Sequence, residues 1–177
     1  MNPPTIKLVH FLGLLLFIFA YVPAIVRAAG RAQPTCPKGY SAQVIGIQGI
    51  TGKVTFKPTT AGIEVTVVAN GFERMEKHKC HIHVNRIQGG NCYTAGANYD
   101  LNSKQPNCPL RTPQDQCQTG DLTGKGGDLE PKKPGVEVSM RYTDKILKVQ
   151  DLVGHSVVFH DQGGDFIGCG NIECVTR

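Results

Sequence analysis

Short runs of β-forming residues, cut by Gly, Pro, Asn and Asp, constrain the fold of this 177-residue chain more than any other feature. Ser41–Ile47 and Gly52–Lys57 read as strands around a Gln48-Gly49 turn, and Ile63–Val68 alternates apolar and polar residues before an Ala69-Asn70-Gly71 turn. Lys79–Asn85, Val136–Tyr142, His155–His160 and Ile167–Ile172 complete the set of expected strands. No long segment carries the 3.6-residue period of an amphipathic helix. Closely spaced short strands of this kind point to an antiparallel sandwich or a Greek-key barrel. Between Asn85 and Val136 the chain turns polar and punctuated, with Gly89-Gly90, Asn91, Pro106, Pro109, Pro113 and the run Gly124-Lys125-Gly126-Gly127. A connection of that length is functional or must be pinned. Cys108 and Cys117 are close enough in sequence to staple a subloop within it. The Gly124–Gly127 run lacks the spacing of a phosphate-binding loop and reads as loop.

The N-terminus reads as a targeting segment. Lys7 precedes an almost continuously apolar stretch from Leu8 to Val26, and Val26 and Ala28 are placed for signal-peptidase cleavage after Ala28. The competing reading is a signal anchor, but His10, Gly13 and Pro23 interrupt the run and small residues follow it. The expectation is a secretory leader over residues 1–28, a single mature domain over 29–177, and no stable membrane association after cleavage. Two of the 19 basic residues and none of the 14 acidic ones fall in the leader, leaving 17 against 14 in the mature part. That balance explains solubility and does not call for nucleic acid. All seven cysteines, at 36, 80, 92, 108, 117, 169 and 174, are in the mature part. In an oxidising compartment they form disulfides and leave one thiol over, and spacing alone does not fix the pairing.

His78-Lys79-Cys80-His81-Ile82-His83 lies inside one of the expected strands. Strand alternation sends His81 and His83 to one face and Cys80, Ile82 and Val84 to the other. Two neutral imidazoles on one face suit copper or zinc, although a bare H-x-H is equally a solvated surface pair. His160, closing the apolar strand Val157-Val158-Phe159, supplies a third imidazole that can reach a neighbouring strand. The same alternation makes Cys80 the candidate free thiol, a small buried hydrophobe.

Five segments occur in order: His78–His83, Gly90–Gly96, Thr119–Leu122, Leu152–His160 and Cys169–Ile172. Together they resemble the copper/zinc superoxide dismutase family. The resemblance implies an all-β, eight-stranded Greek-key β-barrel (an immunoglobulin-like sandwich) with long disulfide-tied loops and a metal held outside the barrel. It makes His81, His83 and His160 copper ligands, and gives His78 an outer role, supporting the site by hydrogen bonding without touching metal. It pairs Cys92 with Cys169. Because the first and last strands are neighbours in such a barrel, it also makes a Cys36–Cys174 bridge plausible.

Departures from the family pattern bear on function. Asn98 stands where the family's metal-bridging histidine is expected; its amide cannot become imidazolate and is at best a weak copper ligand. Gln118 replaces a zinc histidine before Gly120-Asp121-Leu122, so zinc is not expected at the family's usual site. Only eight residues separate His160 from Cys169, too few for the family's charged guiding loop. Phe166 stands in place of the arginine that attracts the anionic substrate. The missing zinc site and short loop resemble the secreted copper-only branch, which nevertheless keeps the fourth copper histidine. Two readings follow. One is an extracellular copper-dependent superoxide dismutase, with superoxide as substrate. The other is a catalytically inactive pseudoenzyme that binds or buffers copper or engages a protein partner. In a third, the barrel binds no metal and the histidines merely persist. No residue beyond the ligands is assigned to catalysis.

Overall fold

The structure is a computed structural model and describes residues 36–104 and 108–176. The expected leader, its cleavage point after Ala28, and Pro106 lie outside the described residues. Seven strands are formed: β1 (Tyr40–Gly46), β2 (Thr51–Thr59), β3 (Gly62–Asn70), β4 (Lys79–His83), β5 (Val138–Asp144), β6 (Ser156–His160) and β7 (Phe166–Cys174). They make one antiparallel sheet in the order β4-β6-β7-β1-β2-β3-β5. β3 is followed by β4 at the far end of that order, the jump that defines a Greek key.

Period-2 burial builds the core. Tyr40, Ala42 and Val44 on β1, Val54 and Phe56 on β2, and Ile63, Val65, Val67 and Ala69 on β3 all turn inward. Cys80 and Ile82 from β4 join the same cluster as Val138 and Met140 from β5, although these strands are the two edges of the sheet. The sheet therefore curls until its edges share one core. Phe56, Phe72 and Phe159 are fully buried there, each side chain contributing roughly 1.5–3 kcal/mol of burial.

The resemblance implied eight strands; seven are present among the described residues. The free edge of β4 meets isolated bridges instead, His78 with Leu129, His81 with Asp121 and His83 with Asn98. A short helix, α1 (Leu122–Gly126), fills the space between the two edge strands. The Gly124–Gly127 run expected as loop thus lies largely in a helix. Its glycines give it little helical propensity of its own. Tertiary fit decides: a Cβ on Gly126 would collide with the Tyr142 ring and the Met140 sulfur, so only glycine lets α1 approach β5. Asp121 caps the helix, accepting from the Gly124 N–H at 2.7 Å, and its other oxygen accepts from the Cys108 N–H at 2.8 Å.

Strand ends differ from expectation where other partners compete. β4 stops at His83 because the Val84 and Asn85 N–H groups turn to the carbonyls of Ala97 and Ala95, and Val84 is left part-exposed. The Gln48-Gly49 turn is a 3-10 turn in which both residues take positive φ, 53° and 81°. Disulfides join Cys36 to Cys174, Cys92 to Cys169 and Cys108 to Cys117. Cys80 is a buried free thiol, and burial pushes its pKa well up, which keeps it inert.

Lys125 of α1 is fixed to β5 by a fully buried ion pair, Nζ to Asp144 Oδ2 at 2.6 Å. Its ammonium also donates to the Thr119 carbonyl, and Asp144 accepts from the Tyr142 hydroxyl and the Ile146 and Leu147 N–H groups. Removing one member leaves a buried charge without its counterion, so Lys125→Met should cost about 3–5 kcal/mol in urea denaturation. Lys77→Met, which breaks only the more exposed pair with Asp128, should cost no more than about 1 kcal/mol.

Candidate metal centre

β4 pairs with β6 in a register that sets Lys79 opposite His160 and His81 opposite Val158. Cys80 and Ile82 point into the core with Val157 and Phe159. Lys79, His81 and His83 therefore project from the outer face, on the side of Val158 and His160. A register shift between Phe159 and His160 at the β6–β7 border re-aims the last histidine. The long loop after β4 covers this outer face. It is tied to β7 by Cys92–Cys169 and by Asn171, whose amide accepts from the Ile87 N–H at 2.7 Å and donates to the Ile87 carbonyl at 3.2 Å.

His81, His83 and His160 each offer a ligand atom, and these atoms lie within 4.8 Å of one another. Their side chains are buried, with residue exposures of 3%, 1% and 5%. His83 Nδ1 lies 2.8 Å from the Gly96 carbonyl and His160 Nδ1 lies 3.1 Å from the Gly164 carbonyl. A carbonyl only accepts, so both rings carry their proton on Nδ1 and present a bare Nε2. The two Nε2 atoms sit 3.1 Å apart. At that distance a hydrogen bond would be assigned by length alone, but these tautomers leave no proton between them. Two lone pairs facing each other is the arrangement a cation resolves.

The third imidazole is more exposed in chemistry than in area. His81 Nε2 is 3.3 Å from Asp121 Oδ1, within ion-pair distance, but without hydrogen-bond alignment, and neither ring nitrogen has a hydrogen-bond partner. Leaving a buried polar atom unsatisfied costs about 1–3 kcal/mol, so the ring is poised for a ligand; Nδ1 is the atom turned away from Asp121. With bonds of about 2 Å, two nitrogens on one metal stand no more than about 4 Å apart. The widest separation here must close by less than 1 Å. The donor set fits copper or another borderline metal.

The remaining expected residues fall as follows. Asn98 lines the same cavity of about 490 Å³ as the three histidines, and its amide donates to Gln118 Oε1 at 3.1 Å. The two residues standing for the family's metal histidines are thus bonded to each other. His78 is stacked on Phe72 at 3.9 Å, its Nε2 is 3.4 Å from the Arg74 carbonyl and its Nδ1 has no partner. Among the described residues His78 makes no direct hydrogen bond to His81, His83 or His160. Phe166 lies edge-on to His160 and His83, with centroids 4.7 and 5.1 Å apart. Lys79, paired with Asp128, and Asp161 also line the cavity. The two orienting carbonyls, Gly96 and Gly164, escaped the sequence reading because a backbone acceptor has no side-chain signature.

Comparison with known proteins gives the same family. The sequence model described as copper/zinc superoxide dismutase matches residues 50–172. The chain belongs to that family. Among curated relatives, the dismutase-family chain is 31% identical over 99 residues to "Cell surface superoxide dismutase [Cu-Zn] 6" of Candida albicans. That match covers 52% of this chain and 30% of the relative's length. Superoxide dismutase 5 of Candida albicans in its Cu(II) form shares the fold, with TM-score 0.68 and 19% identity over 80% of this chain and 94% of the other. So does the clock protein EA4, with TM-score 0.65 and 18% identity over 82% and 99%.

Burial drives the His83 pKa down from its ordinary 6.5 to about 4, the Gly96 bond opposing and His81 adding to the effect. Burial likewise holds His160 at about 4, with His81 nearby lowering it further. For Asp121 burial acts upward, but the His81 contact and the Gly124 and Cys108 N–H bonds outweigh it and leave the pKa lowered. Both histidines bind a proton more readily unfolded than folded, so stability rises with pH between the two values. The metal-free protein should therefore hold a constant Tm above pH 6.5 and lose stability steadily as pH falls from about 6.5 to about 4. His160→Gln should flatten part of that slope in calorimetric scans.

Proposed function

We infer that this chain is an extracellular copper-binding member of the dismutase family that disproportionates superoxide, weakly, at a three-histidine site. The observation that carries the reading is the buried cluster itself. Two Nε2 lone pairs face each other, their rings are fixed through Nδ1, and neither His81 ring nitrogen has a hydrogen-bond partner. Copper bound there would supply the one-electron Cu(II)/Cu(I) couple by which one superoxide becomes oxygen and the next hydrogen peroxide.

The chain's own residues do the rest. His81, His83 and His160 bind. Gly96 and Gly164 hold two of the rings in the ligating tautomer, as outer partners of metal histidines do. Phe166 excludes water from one side of the pair. Lys79 and Asp161 set opposite charges on the cavity wall, so the cavity lacks the strong positive field that would speed an anion's arrival.

The weak rate and the inactive alternative share one observation. Asn98 donates its amide N–H to Gln118 and, as an amide, offers a metal only a weak oxygen, so no fourth imidazole is available to complete the Cu(II) site or relay a proton. On this reading zinc has no site at the family's usual place. The disulfides and the cell-surface relative support an extracellular setting, with cleavage after Ala28 giving a mature domain that starts at residue 29. N-terminal sequencing of the secreted protein should begin at Ala29.

The deciding measurement is metal analysis with superoxide decay on the copper-loaded protein. The wild type should take up about one copper per chain, and His81→Ala should abolish both binding and activity. Asn98→His should raise the rate. Copper bound with no activity until Asn98→His is introduced would establish the inactive alternative, and no copper uptake by the wild type would overturn both.

A further inference from the structure

Phe166 does more than fill the place of an absent arginine. Its ring is stacked on Tyr93, with centroids 5.0 Å apart and planes 9° from parallel, while its edge meets His160 and His83. Tyr93 is 69% exposed. Among the described residues, this is a continuous run of aromatic contact from the ligand histidines to solvent, ending in a phenol. A disulfide holds the two segments together. Tyr93 follows Cys92, Phe166 lies three residues before Cys169, and those cysteines are joined; the Tyr93 N–H is anchored on Asn91 Oδ1 at 3.0 Å.

We propose that Tyr93 is an oxidisable relay residue that delivers an electron through Phe166 to the metal centre and so protects the ligand histidines from oxidation. The proposal rests on copper binding at His81, His83 and His160. The threat is the product of the proposed activity. Were Cu(I) held by these histidines, one-electron reduction of hydrogen peroxide there would release hydroxide and leave a one-electron oxidant equivalent to hydroxyl at the site. Without a donor that oxidant attacks the nearest imidazole. With the relay, Tyr93 supplies one electron and its phenolic proton, the oxidant becomes water, and Tyr93 becomes a phenoxyl radical at the surface. Two such radicals on separate chains couple through ring carbons, each displaced ring hydrogen returning to its phenol oxygen, and give dityrosine.

Tyr40 is buried in the core, and Tyr99 and Tyr142 are poor substitutes. Tyr99 lies against His155, donates to Asp151 at 2.9 Å and has its pKa pushed up to about 12, by burial first and then by that carboxylate. Tyr142 is half-buried and donates its hydroxyl to Asp144 at 3.0 Å. Neither makes a ring contact with the three ligand histidines, whereas Tyr93 reaches them through one ring.

The test loads the mature protein with Cu(I), adds stoichiometric hydrogen peroxide and maps oxidation by mass spectrometry, with copper content measured before and after. The wild type should show modification at Tyr93, dityrosine fluorescence in a covalent dimer, intact His83 and His160, and retained copper. Tyr93→Phe should lose the dimer. Phe166→Leu, which keeps an apolar side chain, should lose Tyr93 modification while oxidation moves to His83 and His160 and copper is released. Tyr93 modification that persists in Phe166→Leu, or that disappears when ethanol is added to trap diffusing radicals, would overturn the relay. Copper bound by a wild type whose Tyr93 stays unmodified overturns the relay alone; absence of copper binding removes the metal reading and the relay together.

Discussion

The antiparallel pairing of Lys79–His83 with Ser156–His160 is the constraint on which the site depends. It brings residues 77 positions apart in sequence to one outer face. Alternation along both strands then sorts the residues: Cys80, Ile82, Val157 and Phe159 go to the core, and the imidazoles go outward. The same burial that stabilises the inner face rigidifies the outer one, since a one-residue slip would exchange histidines for core residues. A bulge at the end of β6 then turns His160 toward His83.

What covers that face decides its chemistry. The loop after β4 is held by a disulfide and by the Asn171 amide, and it brings the Gly96 carbonyl to His83. The turn after β6 brings the Gly164 carbonyl to His160. Burial keeps both rings neutral, and the carbonyls choose their tautomer, so two bare Nε2 atoms are set facing each other without any acidic partner. On the opposite side, an amide pair, Asn98 with Gln118, closes the region where a second metal would need imidazoles.

Much of the fold was legible in the sequence because strand alternation and turn chemistry are local. All seven strands were anticipated within a few residues, and the Gln48-Gly49 turn formed where expected, Gly49 taking positive φ without steric cost. Their ends were not legible, since β4 stops where Val84 and Asn85 find loop carbonyls. Nor was α1. A glycine-rich pentapeptide has no intrinsic helical signal, and it is helical because Asp121 caps it and Lys125 is drawn into a buried pair with Asp144.

At the site, the sequence by itself determined the chemistry available: three imidazoles of a dismutase pattern, an amide where a fourth would stand, and an aromatic ring in place of a cation. Those are matters of residue identity. Only the tertiary structure decided how they are used. His78 stacks on Phe72, His81 is left with neither ring nitrogen hydrogen-bonded, and Phe166 links the rings of His83 and His160 to Tyr93. Those outcomes depend on which backbone and ring surfaces meet across the fold, and contacts between residues distant in sequence leave no trace in the local pattern of either partner.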